Sequence, residues 1–270
     1  MKPMAPVSVV IPCFRCGKTI ARAVASVAAQ TVLPAEVILV DDASGDDTPA
    51  VLQGLQTQYE SGWIKLVSLP HNVGAGSARN AGWAQASQPL IAFLDADDAW
   101  HLRKIELQHA YMAANPDVAL SGHRHRVVKA DALPYWKVSS GHPKSLSKFI
   151  MLLSNRLITP SVMLRRDVGV KFTEGKRYVD DHLLWLELIC SGSQAVKLPQ
   201  ELVLIYKDLY GVSGLSSHIW LMERSELDNY RRLYHKHHIN WLQFGVLAFY
   251  SFLKYIRRLM IYSTYLRWKK

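Results

Sequence analysis

The stretch Phe93-Leu94-Asp95-Ala96-Asp97-Asp98-Ala99-Trp100 places three carboxylates directly after an apolar run. The run at 90–94 has the length of a buried strand, so the carboxylates stand at the carboxyl end of that strand. Burying such a cluster without a cation would be costly. Oxygen ligands at this density suit Mg²⁺ or Mn²⁺, which keep coordination positions for the phosphates of a substrate. Taken alone, the stretch could also be an acidic surface turn before a helix that begins near Leu102.

Further apolar runs at 7–11, 36–40 and 64–69 alternate with segments of helical periodicity. This alternation predicts a mainly parallel α/β sheet, in which polar residues at the carboxyl ends of the strands line the ligand crevice. Asp41, Asp42, Asp95 and Asp97 all stand at such ends. Two acidic clusters on one edge of a sheet favour a binding site over a surface turn.

Several local features are predicted from residue patterns. Thr48 is expected to cap a helix whose first residue is Pro49. Beyond 116 we predict short strands at 118–120 and 126–128 on either side of Gly122-His123-Arg124-His125. Apolar patterns predict a helix at 145–153, a strand at 161–164, a helix from Asp180 and a final strand at 201–206.

Composition and charge favour a folded chain with an anionic partner. The 270 residues, 49% of them hydrophobic, are enough for one large domain or one domain with an appendage. The formal net charge of +10 indicates a nucleotide, a nucleic acid or an acidic membrane surface as partner. The start of the chain lacks the apolar stretch and the cleavage site of a signal peptide, so we expect a cytoplasmic protein.

Five short motifs occur in order along residues 7 to 210, each at the end of a predicted strand or the start of a helix. They are Val9-Val10-Ile11-Pro12 with Phe14; Val40-Asp41-Asp42-Ala43-Ser44 with Asp46 and Thr48; Asn72-Val73-Gly74 with Ala78-Arg79-Asn80 and Gly82; Phe93-Leu94-Asp95-Ala96-Asp97-Asp98; and Asp180-Asp181 with Leu184-Trp185-Leu186. Together they make the chain resemble the inverting glycosyltransferases of family 2, which have a GT-A fold and use nucleotide-diphosphate sugars.

The resemblance implies an α/β fold of the GT-A type, with a Rossmann-like mixed, mainly parallel sheet flanked by helices and a C-terminal helical extension. The catalytic domain would span 1–215, with a nucleotide-sugar-binding half at about 1–115 and an acceptor-binding half at about 116–215. Residues 216–270 would form the amphipathic, basic extension.

The resemblance also assigns roles to the donor site. Pro12 and Phe14 would border the nucleobase, and Asp41 and Asp42 would belong to the nucleotide-sugar-binding residues, with Asp42 on the base or ribose. Arg79 would approach the uracil or the diphosphate; the alternative is that it covers the loop from the helix surface. Asp95 would contact donor and metal, and Asp97 the metal, which would be Mn²⁺ or Mg²⁺. The expected donor is a UDP-sugar.

Inversion by direct displacement requires a base that takes the proton of the attacking hydroxyl. By resemblance this base is the second acid of a Glu-Asp pair, which reads Asp180-Asp181 here. Asp181 is therefore the expected base, and Asp180 departs from the pattern of the family. The alternative is that Asp180 and Asp181 cap a helix, because the dipole of a helix favours acidic residues in its first turn.

The expected acceptor is a glycan or a lipid-linked glycan in cell-surface polysaccharide synthesis. A nucleic-acid binder is a weaker reading, because an acidic crevice repels phosphates unless a metal intervenes. A non-catalytic nucleotide-sugar-binding member of a glycan-assembly complex is the main alternative. The histidines that could bind metal, namely His123, His125, His182 and His218, lack ligand spacing to the aspartates and are interpreted as hydrogen-bonded histidines.

Two features remain open in the sequence. Cys13 and Cys16 are expected to be reduced thiols, with a redox pair as the alternative.

The apolar run of the C-terminal segment is interrupted by polar residues too often to span a bilayer. Its apolar stripe, Phe249, Phe252, Leu253, Ile256, Leu259 and Met260, fits a helix lying on the anionic inner face of the cell membrane. Lys254, Arg257, Arg258, Arg267, Lys269 and Lys270 would then be cationic contacts, with Tyr255, Tyr262, Tyr265 and Trp268 at headgroup depth; the alternative is packing on the catalytic domain or in a homo-oligomer.

Overall fold

The computed structural model describes residues 2–128, 136–206 and 218–268, with backbone alone for 262–268. The β-branched runs of the first half form four parallel strands, and the alanine-rich and amphipathic segments between them form helices, as the sequence predicts. These elements are β1 (Met4–Cys13), α1 (Ile20–Ala28), β2 (Leu33–Asp41), α2 (Thr48–Gln58), β3 (Ile64–Ser68), α3 (Ala75–Gln85) and β4 (Leu90–Phe93).

The second half adds shorter strands and the C-terminal helices. In chain order these are β5 (Ala99–Trp100), α4 (Lys104–Ala114), β6 (Val118–Val128), β7 (Lys144–Ser145), α5 (Lys148–Leu153), a 3₁₀ turn (Thr159–Ser161), β8 (Met163–Arg165), α6 (Asp180–Cys190), β9 (Gln194–Tyr206), α7 (Ile219–His235) and α8 (Trp241–Trp268).

All strands of the described residues belong to one mixed sheet in the order β3-β2-β1-β4-β8-β6-β9-β5, with β7 paired to β9. The first four strands are parallel, and β8 runs antiparallel to both β4 and β6. Strand β1 lies inside the sheet, and Val9, Val10 and Ile11 are fully buried because helices cover both faces. The predicted fold class is confirmed, and the carboxyl ends of β1, β2 and β4 meet at one edge.

The prediction of two short strands around Gly122 is wrong, because 118–128 is one strand. Gly122 is required by packing: a Cβ at this position would lie 2.4 Å from Leu157 Cδ2. The lack of a side chain at Gly122 therefore allows Leu157 to pack closely against the strand.

The boundaries of three neighbouring elements also differ from prediction. Helix α5 begins at Lys148, where Ser147 caps it by accepting from the Ile150 N–H, and residues 144–145 form β7. The predicted strand at 161–164 is a 3₁₀ turn followed by β8, and the last strand begins at Gln194, not at 201. In each case the short strands are defined by pairing with a distant partner, which local patterns do not contain.

Thr48 does not cap α2 as predicted. It is the first residue of that helix, and the cap position belongs to Asp47. The Thr48 hydroxyl instead accepts from the N–H groups of Cys16 and Gly17, at 2.9 and 3.2 Å. This long-range use of the hydroxyl ties the loop after β1 to the start of α2.

Helix α8 packs against α7 and α5 through Phe244 and Leu247 and through two ion pairs. Lys254 and Arg258 both contact Glu226 of α7. The prediction that these two cations reach a lipid surface is therefore wrong, because they neutralise a buried carboxylate. The predicted contacts from Tyr262, Tyr265, Arg267, Trp268, Lys269 and Lys270 lie outside the described side chains. Among the helices of the described chain, none combines the length and the apolar character needed to cross a bilayer.

Candidate functional site

A cavity of about 610 Å³ opens at the edge of the sheet where β1, β2 and β4 end, a volume typical of small-molecule sites. Six of the residues predicted to bind donor or metal line it: Pro12, Phe14, Asp42, Arg79, Asp95 and Asp97. They meet because β1 pairs in parallel with both β2 and β4, so that the segments following these strands start side by side. The predicted base, Asp181, is not among the described residues that line this cavity.

One wall of the cavity offers an apolar surface to a planar group. The Phe14 ring is 46% exposed, and Pro12 stands before it at the end of β1. The guanidinium carbon of Arg15 lies 5.2 Å from the centre of the Phe14 ring. An exposed aromatic ring beside a cation can stack a nucleobase.

The Asp42 carboxylate fixes the loop that follows β3. It accepts from the N–H groups of Val73 and Gly74, at 2.7 and 2.9 Å, and from the Asn72 side chain at 2.9 Å. Three donors use most of the acceptor capacity of this buried carboxylate. Asp42 thus shapes the cavity wall by fixing residues 72–74.

Asp41 does not join the cavity lining that the structure describes. Its Oδ1 accepts from the Ser44 hydroxyl at 2.5 Å and from the Ser44 N–H at 3.3 Å. Because neighbouring residues of an extended chain point to opposite sides, only one of the two aspartates can face the cavity. The structure gives that position to Asp42 and gives Asp41 the turn behind it.

The acidic residues after β4 form a group that fits a divalent cation. Oxygen atoms of Asp95, Asp97 and Asp98 lie within 4.8 Å of one another. Asp95 and Asp97 line the cavity, whereas Asp98 is fully buried. Carboxylate oxygens at an open cavity are the ligands that Mg²⁺ or Mn²⁺ prefers when it also binds phosphate.

Arg79 connects this acidic group to the start of α6. Its Nη2 donates to Asp95 Oδ1 at 2.6 Å, and its guanidinium carbon lies 5.4 Å from the centre of the Phe172 ring. Burial alone would lower the pKa of Arg79, but the nearby carboxylates of Asp95, Asp180 and Asp181 raise it. The side chain is therefore a fixed, buried cation and not the surface cover considered as an alternative.

Asp180 and Asp181 are adjacent but face different surroundings. Asp180 packs on α3, where a Cβ at Gly76 would lie 2.3 Å from Asp180 Oδ2. Asp181 Oδ2 accepts from Asn155 and Thr159 at 3.4 and 3.3 Å. Asp180 thus contacts α3, and Asp181 bonds to the segment between α5 and β8.

Burial shifts the titration of both carboxyls. It raises the pKa of Asp180 to about 6, with a further rise from the Asp181 charge and an opposing effect of Arg79. Burial also raises the pKa of Asp181, against the hydrogen bond from the His182 N–H. A carboxylate with a raised pKa is a stronger base than an ordinary aspartate.

Backbone strain is concentrated around the same site. Four described non-glycine residues have a positive φ, and three of them, Arg15, Ala43 and Val179, adjoin Phe14, Asp42 and Asp180. Val179, a β-branched residue at φ 53°, is the most unfavourable of these. Such strain persists where the surrounding structure enforces it, which is common at functional sites.

Several site residues were not predicted to have a role. Arg177 lines the cavity and donates to Asn72 Oδ1 at 3.2 Å, and Cys13 and Cys16 lie in its wall. The roles of Asn155 and Thr159 depend on their hydrogen bonds to Asp181, which the sequence does not show. His123 and His182 donate to backbone carbonyls at 2.9 and 2.8 Å, which confirms that they are hydrogen-bonded histidines.

Comparisons with known proteins agree with this geometry. The family model described as Glycosyl transferase family 2 matches residues 8–169. Two Escherichia coli proteins named UDP-Glc:alpha-D-GlcNAc-diphosphoundecaprenol beta-1,3-glucosyltransferase are similar. WfgD is 27% identical over 183 residues, covering 68% of this chain and 69% of its own. WfaP is 30% identical over 193 residues, covering 70% and 72%.

The fold comparison extends to almost the whole chain. The mannosyltransferase PcManGT from Pyrobaculum calidifontis, solved with GDP-Man and Mn²⁺, superposes with a TM-score of 0.65. The match covers 97% of this chain and 76% of that chain at 16% identity, so it supports the fold. With a family model that spans more than half of its length, the chain belongs to glycosyl transferase family 2 and is a glycosyltransferase with a GT-A-like fold.

Proposed function

We propose that this protein transfers a hexose from a UDP-sugar to a hydroxyl of a lipid-linked glycan, with inversion at the anomeric carbon. The observation that carries the proposal is the connection made by Arg79. It bonds to Asp95 in the acidic group and lies close to the carboxylates of Asp180 and Asp181. A site for a leaving diphosphate and a candidate base are thereby held at one edge of the sheet.

The cavity has the parts needed to bind the donor. Phe14 and Pro12 provide an apolar wall for the nucleobase, and Asp42 holds the loop 72–74 that closes the opposite side. Asp95 and Asp97 would hold Mn²⁺ or Mg²⁺, which when bound neutralises charge on the leaving diphosphate. The solved relative PcManGT was crystallised with Mn²⁺, which supports a metal in the corresponding fold.

Asp181 is the proposed base. In a direct displacement the acceptor hydroxyl oxygen forms a bond to the anomeric carbon as the bond to the diphosphate oxygen breaks. The hydroxyl proton passes to an Asp181 carboxylate oxygen, and the electron pair of the breaking bond leaves with the diphosphate. Hydrogen bonds from Asn155 and Thr159 hold the Asp181 carboxylate in one orientation, which supports Asp181 for this role.

The nature of the acceptor rests on the relatives. WfgD and WfaP are named as enzymes that glucosylate a diphosphoundecaprenol-linked sugar. We propose an acceptor of the same class for this chain, in the synthesis of a bacterial surface polysaccharide. A lipid-linked acceptor is met at a bilayer, so we place the enzyme at the cytoplasmic face of a membrane.

The test is a transfer assay on the full chain with a panel of UDP-, dTDP- and GDP-sugars, a polyprenyl-diphosphate-linked sugar and Mn²⁺. We expect turnover with a UDP-hexose and, by NMR, a product of inverted anomeric configuration. Asp181→Asn should lower kcat by about 10²- to 10⁴-fold while UDP-sugar affinity is retained. Asp117→Asn, at an exposed aspartate before β6, is the matched control and should leave kcat unchanged.

Two outcomes would contradict the proposal. Nucleotide-sugar binding by calorimetry without turnover on any acceptor would favour the non-catalytic alternative. Full activity with a chelator present, or full activity of Asp97→Asn, would remove the metal from the mechanism.

A further inference from the structure

Helix α8 directs most of its apolar side chains outward and buries several polar ones, unlike a normal surface helix, which directs its apolar side chains toward the core. The side that contacts the rest of the protein contains Phe244 and Leu247 and then Ser251, Lys254 and Arg258. Ser251 is fully buried, and Lys254 is mostly buried. Apolar contacts thus attach the first turns of α8, and the later turns add polar contacts.

Polar contacts fix the orientation of α8 about its own axis. Lys254 donates to Glu226 of α7 and to the Leu153 carbonyl at the end of α5. Arg258 Nη2 lies 3.6 Å from Glu226 Oε2, and the Tyr230 hydroxyl donates to Glu226 Oε1, the oxygen that Lys254 also contacts. Turning α8 to bury its apolar side would leave Glu226 buried without a cation, which is costly.

The outward side of α8 is an apolar stripe along its described part. The side chains of Trp241, Val246, Phe249 and Phe252 are 73%, 60%, 65% and 53% exposed. The rest of the stripe is also exposed and comprises Leu242, Leu253, Ile256, Leu259, Met260 and Ile261. At about 1.5 Å per residue the stripe is about 30 Å long. An apolar surface of this extent marks an interaction site in a soluble domain.

The charge of the same region indicates what covers the stripe. Residues 229–270 contain nine Lys and Arg and no Asp or Glu, so this segment carries nearly all of the net charge of +10. Arg257 is exposed on α8 between residues of the stripe. Two copies of the chain joined along this stripe would bring two such basic segments together, which is unfavourable. An anionic lipid bilayer can bury the apolar stripe among its acyl chains and attract the basic segment to its headgroups.

We infer that α8 lies in the interface of a membrane that contains anionic lipid, with its apolar stripe toward the acyl chains. Helix α5, which contacts α8 through Leu153, adds Phe149 and Ile150, whose side chains are also exposed. Asn155, two residues after α5, donates to Asp181. If the acceptor is lipid-linked, as the proposed function holds, this arrangement places the proposed base near the surface from which the acceptor comes.

The test is flotation of the full chain with vesicles of phosphatidylcholine alone and with added phosphatidylglycerol, without any nucleotide sugar. We expect binding that increases with the anionic lipid and decreases with salt. The double variant Phe249→Glu/Phe252→Glu should bind at least about tenfold more weakly, because it places two charges in the stripe. Met4→Glu, at an exposed methionine of β1, is the matched control and should bind like the unchanged protein.

Circular dichroism and the oligomeric state by light scattering complete the experiment. Since the substituted phenylalanines are exposed, both variants should unfold at the same temperature as the unchanged protein. Failure of the unchanged protein to float with anionic vesicles, or equal flotation of the double variant, overturns the inference. A dimer in solution that the double variant converts to a monomer would assign the stripe to a second copy. The flotation experiment measures no sugar transfer, so its outcome does not depend on the outcome of the transferase assay.

Discussion

Arg79 donates to Asp95 across 2.6 Å, and this bond joins helix α3 to the metal-binding candidates after β4. The planar guanidinium donates to Asp95 and is close enough to Asp180 for their charges to interact. A lysine has a single charged group on a flexible stem and cannot replace this geometry. The role of Arg79 is therefore to position Asp95 and to keep the α6 carboxylates close to the donor site.

We predict that Arg79→Lys lowers kcat/KM by about 10²-fold, a loss of about 3 kcal/mol of transition-state stabilisation. Steady-state kinetics with the UDP-sugar would measure it. Arg165→Lys is the control, because Arg165 donates to the carbonyls of Val118, Met112 and Asn115, away from the cavity. The control should lose stability but keep its activity per folded molecule. Equal kinetic loss in both variants would contradict a specific role of Arg79.

The metal-binding candidates could be predicted from the sequence because they follow an apolar run directly. The choice between Asp41 and Asp42 could not, because it depends on which side of the strand faces the cavity. The packing role of Gly122 could not be predicted because its partner, Leu157, is distant in sequence. The ion pairs of Lys254 and Arg258 with Glu226 could not be predicted either, since the cations belong to α8 and the carboxylate to α7.

Asp42→Asn should lower both stability and donor affinity. The amide replaces one acceptor oxygen with a donor, which would face the N–H groups or the amide of the 72–74 loop. We expect a loss of about 1–3 kcal/mol in the free energy of unfolding. Denaturant unfolding and calorimetry with UDP would measure the two effects. Asp41→Asn serves as the comparison: a loss of UDP affinity as large as that of Asp42→Asn would show that Asp41 contacts the donor directly.

Gly76→Ala should impair catalysis with little change in stability. The added Cβ would lie 2.3 Å from Asp180 Oδ2, so the carboxylate must move. Alanine is also the better helix former by about 1 kcal/mol, which offsets part of the cost of the displacement. We expect kcat to fall by about tenfold or more, as small misplacements at a reacting centre do.

The control for this prediction is Gly54→Ala in α2, where a Cβ would meet nothing within 4 Å. That variant should be more stable by up to about 1 kcal/mol and fully active. Thermal unfolding and initial rates of both variants decide the question. An active Gly76→Ala variant would show that the position of Asp180 is not critical.

The pH dependence should reflect the two carboxyls at the start of α6. Burial raises the pKa of Asp180 to about 6 and also raises that of Asp181. A base must be ionised, so kcat/KM should fall as the pH is lowered and the carboxyl pair takes up protons, with apparent pKa values that belong to the coupled pair. The raised pKa has the opposite effect on stability. A proton bound more tightly in the folded state stabilises the protein below the unfolded pKa, and this contribution is lost as the pH rises through the folded pKa.

Asp180→Asn removes this titration, so its stability relative to the unchanged protein should increase between pH 4 and about pH 7. Urea unfolding at both pH values, with Asp117→Asn as a control that should show no such increase, tests the sign. The activity of Asp180→Asn provides a second readout, because a proton acceptor at Asp181 alone would still give a fall in kcat/KM at low pH. If Asp180→Asn makes the rate independent of pH while Asp181→Asn retains the dependence, Asp180 is the base and the assignment of Asp181 is wrong.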